Sequence, residues 1–252
     1  MLKNNIEKYY IWIGPLALLL LWVLLSLSIT SSVLLPNFFD TFKKFYEILI
    51  TGDMFSNLKS TLVRTFFGFA LSLIFGVPIG VYFGAHPKIY KIFEVPIEFF
   101  RSLPATAMFP LFLLAFGIGD GSKIAISWFI SFWIILVNSA YGVLHGSKIR
   151  IKVIESFKTT HWQKLSRVIF MDALPQIFIG LKISLSLSLI AVVVSEMFIG
   201  SNSGIGQKIY DAYLTYEISY LYAWLIVAGV IGYLMNKIFT TIEHRIIHWV
   251  GK

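Results

Sequence analysis

The sequence predicts an all-α, polytopic membrane protein with six transmembrane helices and both termini cytoplasmic, and three observations carry that expectation. The 252-residue chain is 57% hydrophobic and only 13% charged, with a mean hydropathy of +0.78, far from the balance of a soluble domain. Its apolar residues gather into continuous runs close to the about 20 residues that a helix needs to cross a bilayer. A membrane β-barrel would instead show alternating segments of about ten residues. Finally, the basic residues are unevenly placed: Lys3, Lys8, Lys88, Lys91, Lys148, Arg150, Lys152, Lys158, Lys164, Arg167, Arg245 and Lys252 fall on one side of the runs, against Lys43, Lys44, Lys59, Lys123 and Lys208 on the other. The positive-inside rule makes the first side the cytoplasm, and an even number of spans puts both termini there.

The first run, Tyr9–Ile29, follows Lys3 and Lys8 and is longer than the core of a signal peptide, with no A-x-A site, so it reads as an uncleaved anchor within residues 1–30. Residues 31–55 read as an external segment. Asn37 is placed to cap a helix, Asp40 stands three residues on, and Phe38, Phe39, Phe42, Phe45, Tyr46 and Leu49 recur at helical spacing up to Gly52, the pattern of a helix lying on the membrane. The body of the protein is read as residues 56–241. Its first run, Leu62–Phe83, carries Gly68, Ser72, Gly76, Gly80 and Gly84 at every fourth position, a ridge without bulky side chains on which another helix backbone can pack. Pro78 is expected to kink it. The third run, Pro96–Ile118, is interrupted by Glu98, Arg101 and Pro104, and Gly117–Gly121 allows only a turn into the fourth, Ile124–Leu144.

A cytoplasmic loop, 146–176, separates the fourth and fifth runs and contains a basic, polar island from Glu155 to Pro175. Ile151–Lys158 and Gln163–Met171 can each form a short helix, with Pro175 marking entry to the fifth run, Ile177–Ile199. On that run Ser184, Ser188 and Ser195 share a face and Glu196 lies near the outer end. The sixth run is Ile218–Phe239, followed by a cytoplasmic tail, 242–252.

The net charge of +8 follows from this topology and calls for no nucleic-acid partner. The absence of cysteine removes disulfides, thiolate catalysis and Cys-ligated metals. Gly200–Lys208 has the residues of a phosphate loop but not the G-x-x-x-x-G-K-[ST] spacing. His244 and His248 lack a third ligand, and His86, His145 and His161 lack the neighbours of a triad. The chain therefore offers no ATP site, metal site or catalytic group of its own.

Several ordered motifs resemble the permease subunits of binding-protein-dependent ABC importers with the type I transmembrane fold. Glu155-Ser156-Phe157 stands where that family has Glu-Ala-Ala, Trp162-Gln163 matches a frequent Trp-Gln, and Ala173-Leu174-Pro175 matches the closing Leu-Pro. Leu62-Val63-Arg64-Thr65 through Gly84, Arg101-Ser102-Leu103-Pro104, Phe116-Gly117-Ile118-Gly119, Ser195-Glu196-Met197 and Ser203-Gly204-Ile205-Gly206 are similar to the nitrate, sulfonate and taurine branch. One departure stands out: Thr159-Thr160-His161-Trp162 crosses the family's turn region in fewer residues and without glycine. The resemblance implies a homodimeric pathway in the lipid bilayer for a small solute such as nitrate, a sulfonate, taurine or bicarbonate. An extracytoplasmic binding protein would deliver that solute, and ATP and Mg would be bound by separate cytoplasmic ATPase subunits. It implies that Glu155, Ser156, Phe157, Lys158, Trp162, Gln163, Leu174 and Pro175 form the ATPase-coupling loop. Because a polar solute cannot be left unsatisfied in hydrocarbon, Ser184, Ser188, Ser195 and Glu196 are the candidate pathway or gate residues, with Glu196 expected to pair with a cation at the outer gate. The alternative, a self-sufficient secondary transporter or channel, calls for paired helix breaks and several intramembrane charges; an integral-membrane enzyme calls for a cluster of His or acidic residues at one depth.

Overall fold

The computed structural model describes residues 2–28, 35–156 and 159–249, and among them every regular element is helical. Helix α1 spans Leu2–Ser28, α2 Phe38–Ile50, α3 Asp53–Ala85 and α4 Pro87–Ser102; a 3-10 turn, Ala105–Met108, leads into α5, Phe109–Phe116. Helix α6 spans Asp120–Leu144, α7 Lys148–Ser156 and α8 His161–Lys164, and a π turn, Leu165–Ile169, joins α8 to α9, Phe170–Ile199. Helices α10, Ile205–Leu214, and α11, Ile218–Ile246, complete the bundle.

Among the described residues four stretches are long and apolar enough to cross a membrane: Asp53–Ala85, Asp120–Leu144, Leu165–Ile199 and Ile218–Ile246. The third expected run is not one helix. It bends by 88° between α4 and the segment 105–116, because Leu103 precedes Pro104 and both adopt extended backbone, with ψ of 127° and 122°, the conformation that a following proline ring imposes.

Contacts fix the relative directions of these stretches. A Cβ built on Gly68, Gly76, Gly80 or Gly84 of α3 would meet Ser127, Ile135, Ser139 or Val143 of α6 respectively. The residue offset is 59 at each of the four contacts, so α3 and α6 run parallel and in register. Ser131 of α6 meets Ser188 of α9, whereas Gly142 of α6 meets Ala173, so α9 runs the other way. Helix α11 runs with α3, since Trp224 packs with Ile205 at one end and Phe239 with Phe178 at the other. Because α3 ends and α6 begins at opposite ends of a parallel pair, the bent segment Pro87–Phe116 must return across the thickness of the bundle. The end bearing Arg64 is termed outer and the end bearing Gly84 inner, after the charge-based topology.

Asn37 caps α2 as its sequence predicts, its Oδ1 accepting from the Phe39 amide at 2.8 Å. Helix α2 buries Thr41 and Ile48 and leaves Phe39, Phe42 and Tyr46 exposed, the asymmetry of a helix with one face for lipid. Gly117 closes α5 with φ +73°, a left-handed turn that a residue with a Cβ adopts only under strain.

Candidate functional site

At the outer end, a buried charge cluster ties four elements together. Arg64 on α3 donates from Nη1 to Glu196 Oε1 (2.6 Å) and to the Ser203 carbonyl (2.7 Å), and from Nε to Asp120 Oδ1 (2.8 Å) at the start of α6. The Glu196 side chain is 0% exposed and that of Arg64 6%. Thr61 donates to the same carboxylate at 3.0 Å, and the Gly206 amide donates to Glu196 Oε2 at 2.9 Å. The amide of Gly204 reaches Asn57 Oδ1 (2.8 Å) and that of Ile205 reaches Thr61 Oγ1 (2.9 Å). Side chains of α3 and α9 thus satisfy the otherwise orphaned amides at the start of α10. Gly204 is required twice over: its φ is +138°, and a Cβ there would collide with the Glu196 carboxylate. Lys123, also buried, donates to the Ile118 and Gly119 carbonyls at 2.6 and 3.1 Å and closes the turn before α6. A buried pair backed by several further hydrogen bonds is the form in which an ion pair can persist away from water.

The inner end is built differently. Thr160 and Gln163 form a reciprocal capping box at the start of α8: the Gln163 amide donates to Thr160 Oγ1 (3.3 Å) and the Thr160 amide to Gln163 Oε1 (3.1 Å). From there the chain passes through the π turn directly into α9, so docking segment and span are one continuous helical body from His161 to Ile199. Pro175 does not mark the entry to the span; it lies about one and a half turns inside α9, with the wider π turn preceding it. Leu174 is buried against Phe178 and Ile247, which roots the loop on the end of α11. Asp172 accepts from the Ser147 amide at 3.2 Å and pairs with Arg150, tying α9 to the start of α7.

The sequence pattern of the family described as "Binding-protein-dependent transport system inner membrane component" matches residues 76–250. The chain belongs to that family. It is accordingly a multi-pass inner-membrane transport subunit and not an enzyme. Among its relatives are the taurine transport system permease protein TauC of Escherichia coli (strain K12), 28% identical with 95% of this chain and 90% of that protein covered, and the nitrate import permease protein NrtB of Synechocystis sp., 28% identical with 91% and 86% covered. An inward-facing structure of the MetNI methionine ABC transporter shares the fold at a TM-score of 0.65 and 21% identity, covering 78% of this chain and 95% of that one.

In this inner-membrane subunit the residues expected at the coupling loop divide into two groups. The backbones of Glu155, Ser156, Trp162 and Gln163 lie on α7 and α8, and Leu174 and Pro175 on α9. Phe157 and Lys158, with the side chains of Glu155 and Trp162, lie outside the described residues. The expected pathway residues are found inside the protomer: Ser184, Ser188, Ser195 and Glu196 are each 0% exposed. Ser188 and Ser131 of α6 share a 2.5 Å hydroxyl contact, Ser184 donates to the Ser131 carbonyl at 3.3 Å, and Ser195 donates to Val192 at 2.8 Å. The cation that Glu196 was expected to pair with is Arg64. The ridge residues Gly68, Ser72, Gly76, Gly80 and Gly84 are all buried towards α6, where Ser72 Oγ reaches the Trp128 carbonyl at 2.9 Å. Sequence reasoning passed over Lys182, an ionisable residue inside the fifth apolar run, and Asn236 opposite it, although a charge inside such a run is itself a signal. Among the described residues no group of three or more His, Cys, Asp or Glu side chains comes together to hold a metal.

Proposed function

We propose that this subunit pairs with a second copy to form the six-span-per-copy pathway of an ATP-driven importer, with both termini cytoplasmic. Separate ATPase subunits would bind ATP and Mg, and an extracytoplasmic binding protein would deliver a small solute of the sulfonate, taurine, nitrate or bicarbonate kind. One observation carries the reading: from His161 onward the polar island runs without a break through the π turn into α9, within the 35-residue span Leu165–Ile199. A push on α8 is therefore delivered to α9 as a rigid-body movement, since packed helices shift between discrete arrangements and do not deform continuously. At the other end of the same helix Glu196 is clamped to α3, α6 and α10, so α9 carries its neighbours with it. The ridge between α3 and α6 is assigned to holding that unit rigid, and Ser184, Ser188, Ser195 and Glu196 to its internal packing and to the outer clasp. The resemblance of Glu155–Pro175 to the coupling loop of ABC permeases supplies the identity of the docking partner.

The test is coupling measured apart from insertion. Purified chain alone should hydrolyse no ATP and should capture its ATPase subunit. Glu155→Ala and Trp162→Ala should insert normally yet lose solute-stimulated ATP turnover in the assembled complex. A Glu155→Ala transporter with full uptake and normal assembly would sink the docking role.

A further inference from the structure

Among the described residues the mid-bundle charge of α9 has no counter-ion. Lys182 lies five residues inside the fifth apolar run, partly exposed, and among the described residues its ammonium makes no ion pair or hydrogen bond. The carboxylates of its own helix are far away and already occupied. Asp172 is ten residues back and paired with Arg150, and Glu196 is fourteen residues ahead and paired with Arg64; at helical rise these separations are about 15 and 21 Å. No Asp or Glu stands on α3 after Asp53, on α6 after Asp120, or on α11 before Glu243; the bent segment carries Glu94 and Glu98 on α4, the second of them paired with Arg101. Lys237 of α11, the other cation at this level, is exposed, with its ammonium 6.0 Å from the Tyr233 ring.

One turn after Lys182, Ser186 has an oxygen held by Asn236 of α11 and a hydroxyl hydrogen that is weakly committed. Asn236 Nδ2 donates to Ser186 Oγ at 2.9 Å and to the Gly232 carbonyl at 3.1 Å. The outgoing contacts of the hydroxyl are long, 3.2 Å to Asn236 Oδ1 and 3.4 Å to the Lys182 carbonyl. The Cβ atoms of residues four apart on a helix face lie about 5–6 Å from each other, so the Lys182 side chain starts one turn from this hydroxyl and its flexible stem lets the ammonium share a small anion with it. Lys182 also borders the exposed stripe of Ile179, Ile183 and Ile190, the surface of α9 that the bundle leaves open.

We propose that Lys182 and Ser186, with Asn236 as the positioning residue, form an anion-accepting station in the inner half of the bundle, which an oxyanion such as a sulfonate or nitrate occupies on its way through. This deepens the importer reading and rests on it for the direction of travel, but the station itself requires only the chain. A cation inside an apolar run is costly without a partner, and a passing anion meets that need transiently, whereas a fixed carboxylate would cancel it permanently.

The experiment uses the purified full-length chain in phosphatidylcholine nanodiscs, its lysines dimethylated with 13C-formaldehyde and the Lys182 signal identified by its loss in Lys182→Arg. Methanesulfonate and nitrate are the titrants, with dimethyl sulfone as the uncharged isostere and chloride as the ionic-strength control. The proposal predicts a saturable shift of the Lys182 signal with at least one of the two oxyanions and none with dimethyl sulfone. In Ser186→Ala the half-saturating concentration should rise about five-fold, the factor that one lost hydrogen bond commands. A linear shift matched by chloride, or no shift with either oxyanion, would overturn it. So would a signal that moves only when phosphatidylglycerol is added, because the ammonium would then be reaching a lipid phosphate. Since no ATPase enters this measurement, a failed capture of the ATPase beside a saturable Lys182 response would remove the importer mechanism and leave the anion station standing.

Discussion

The two ends of the bundle handle polar groups in opposite ways. At the outer end, Arg64 and Glu196 are withdrawn from water and every polar neighbour is used, from Thr61 to the first amides of α10. At the inner end, Gln163 and Ser156 are exposed, and Arg150 pairs with Asp172 while remaining 65% exposed. The first arrangement fixes geometry and commits its buried donors and acceptors to one another, with the Asp120 carboxylate, 66% exposed, at its rim. The second keeps its donors and acceptors near the surface and orders only the short helix that presents them. One molecule thus separates a clasp that holds the helices from a surface whose polar groups stay within reach of solvent.

The largest effect is expected where the clasp loses one partner. Arg64→Ala leaves the buried Glu196 carboxylate without its counter-charge, which costs about 3–5 kcal/mol, and the thermal midpoint in detergent should fall steeply; Glu196→Ala leaves Arg64 still paired with Asp120 and should fall by a smaller step. Glu196→Gln, which retains a side chain able to accept from Thr61 and Gly206, should fall less. If Arg64→Ala is as stable as the parent, the outer end is not a clasp. Next come the ridge substitutions. Gly80→Ala drives a Cβ into the Leu136 carbonyl and to 2.6 Å from Ser139 Cβ, whereas Gly119→Ala meets nothing within 4 Å. Overpacking costs about 1–3 kcal/mol, so Gly80→Ala should destabilise and Gly119→Ala should serve as the neutral control in the same melting assay.

Substitutions at the inner end should separate stability from coupling. Thr160→Val removes half of the capping box, worth about 1 kcal/mol to a helix end, and should leave the melting midpoint of the bundle unchanged while lowering solute-stimulated ATP turnover in the assembled complex. The smallest effect belongs to Asp172→Asn. The Arg150 side chain is 65% exposed, so the pair is screened on that side, and although Asp172 is only 9% exposed the asparagine still offers an oxygen to the Ser147 amide; a midpoint close to that of the parent is expected. A large loss of stability there would erase the distinction between the two ends.

Much of this was legible in the sequence, and the rest was withheld for identifiable reasons. The four continuous spans, the Asn37 cap and the small-residue ridge are local patterns, and each is present. The 88° bend lies where Leu103-Pro104 interrupts an apolar run, yet local sequence marks a break and not its angle. Arg64 and Glu196 stand 132 residues apart, a pairing that no periodicity carries. The serines of α9 were expected to line a pathway because they are polar on one face; that face meets α6, and a one-face pattern says nothing about which neighbour it meets. The Thr160-x-x-Gln163 box and Lys182 were both readable and were passed over, the first hidden by attention to the missing glycine and the second by the apolar run around it. The π turn has no sequence signature at all, and it is the element that makes loop and span one body.

The contrast between the ends can be tested directly, because the chain contains no cysteine. Gln163→Cys places a single thiol on exposed α8, and Thr215→Cys places one on the exposed end of α10 at the opposite end of the bundle. Each variant would be assembled with the ATPase subunit and treated with a short thiol-to-amine cross-linker. The account predicts an ATPase adduct from Gln163→Cys and none from Thr215→Cys. Equal adducts from both, or none from Gln163→Cys in a complex that still transports, would contradict it.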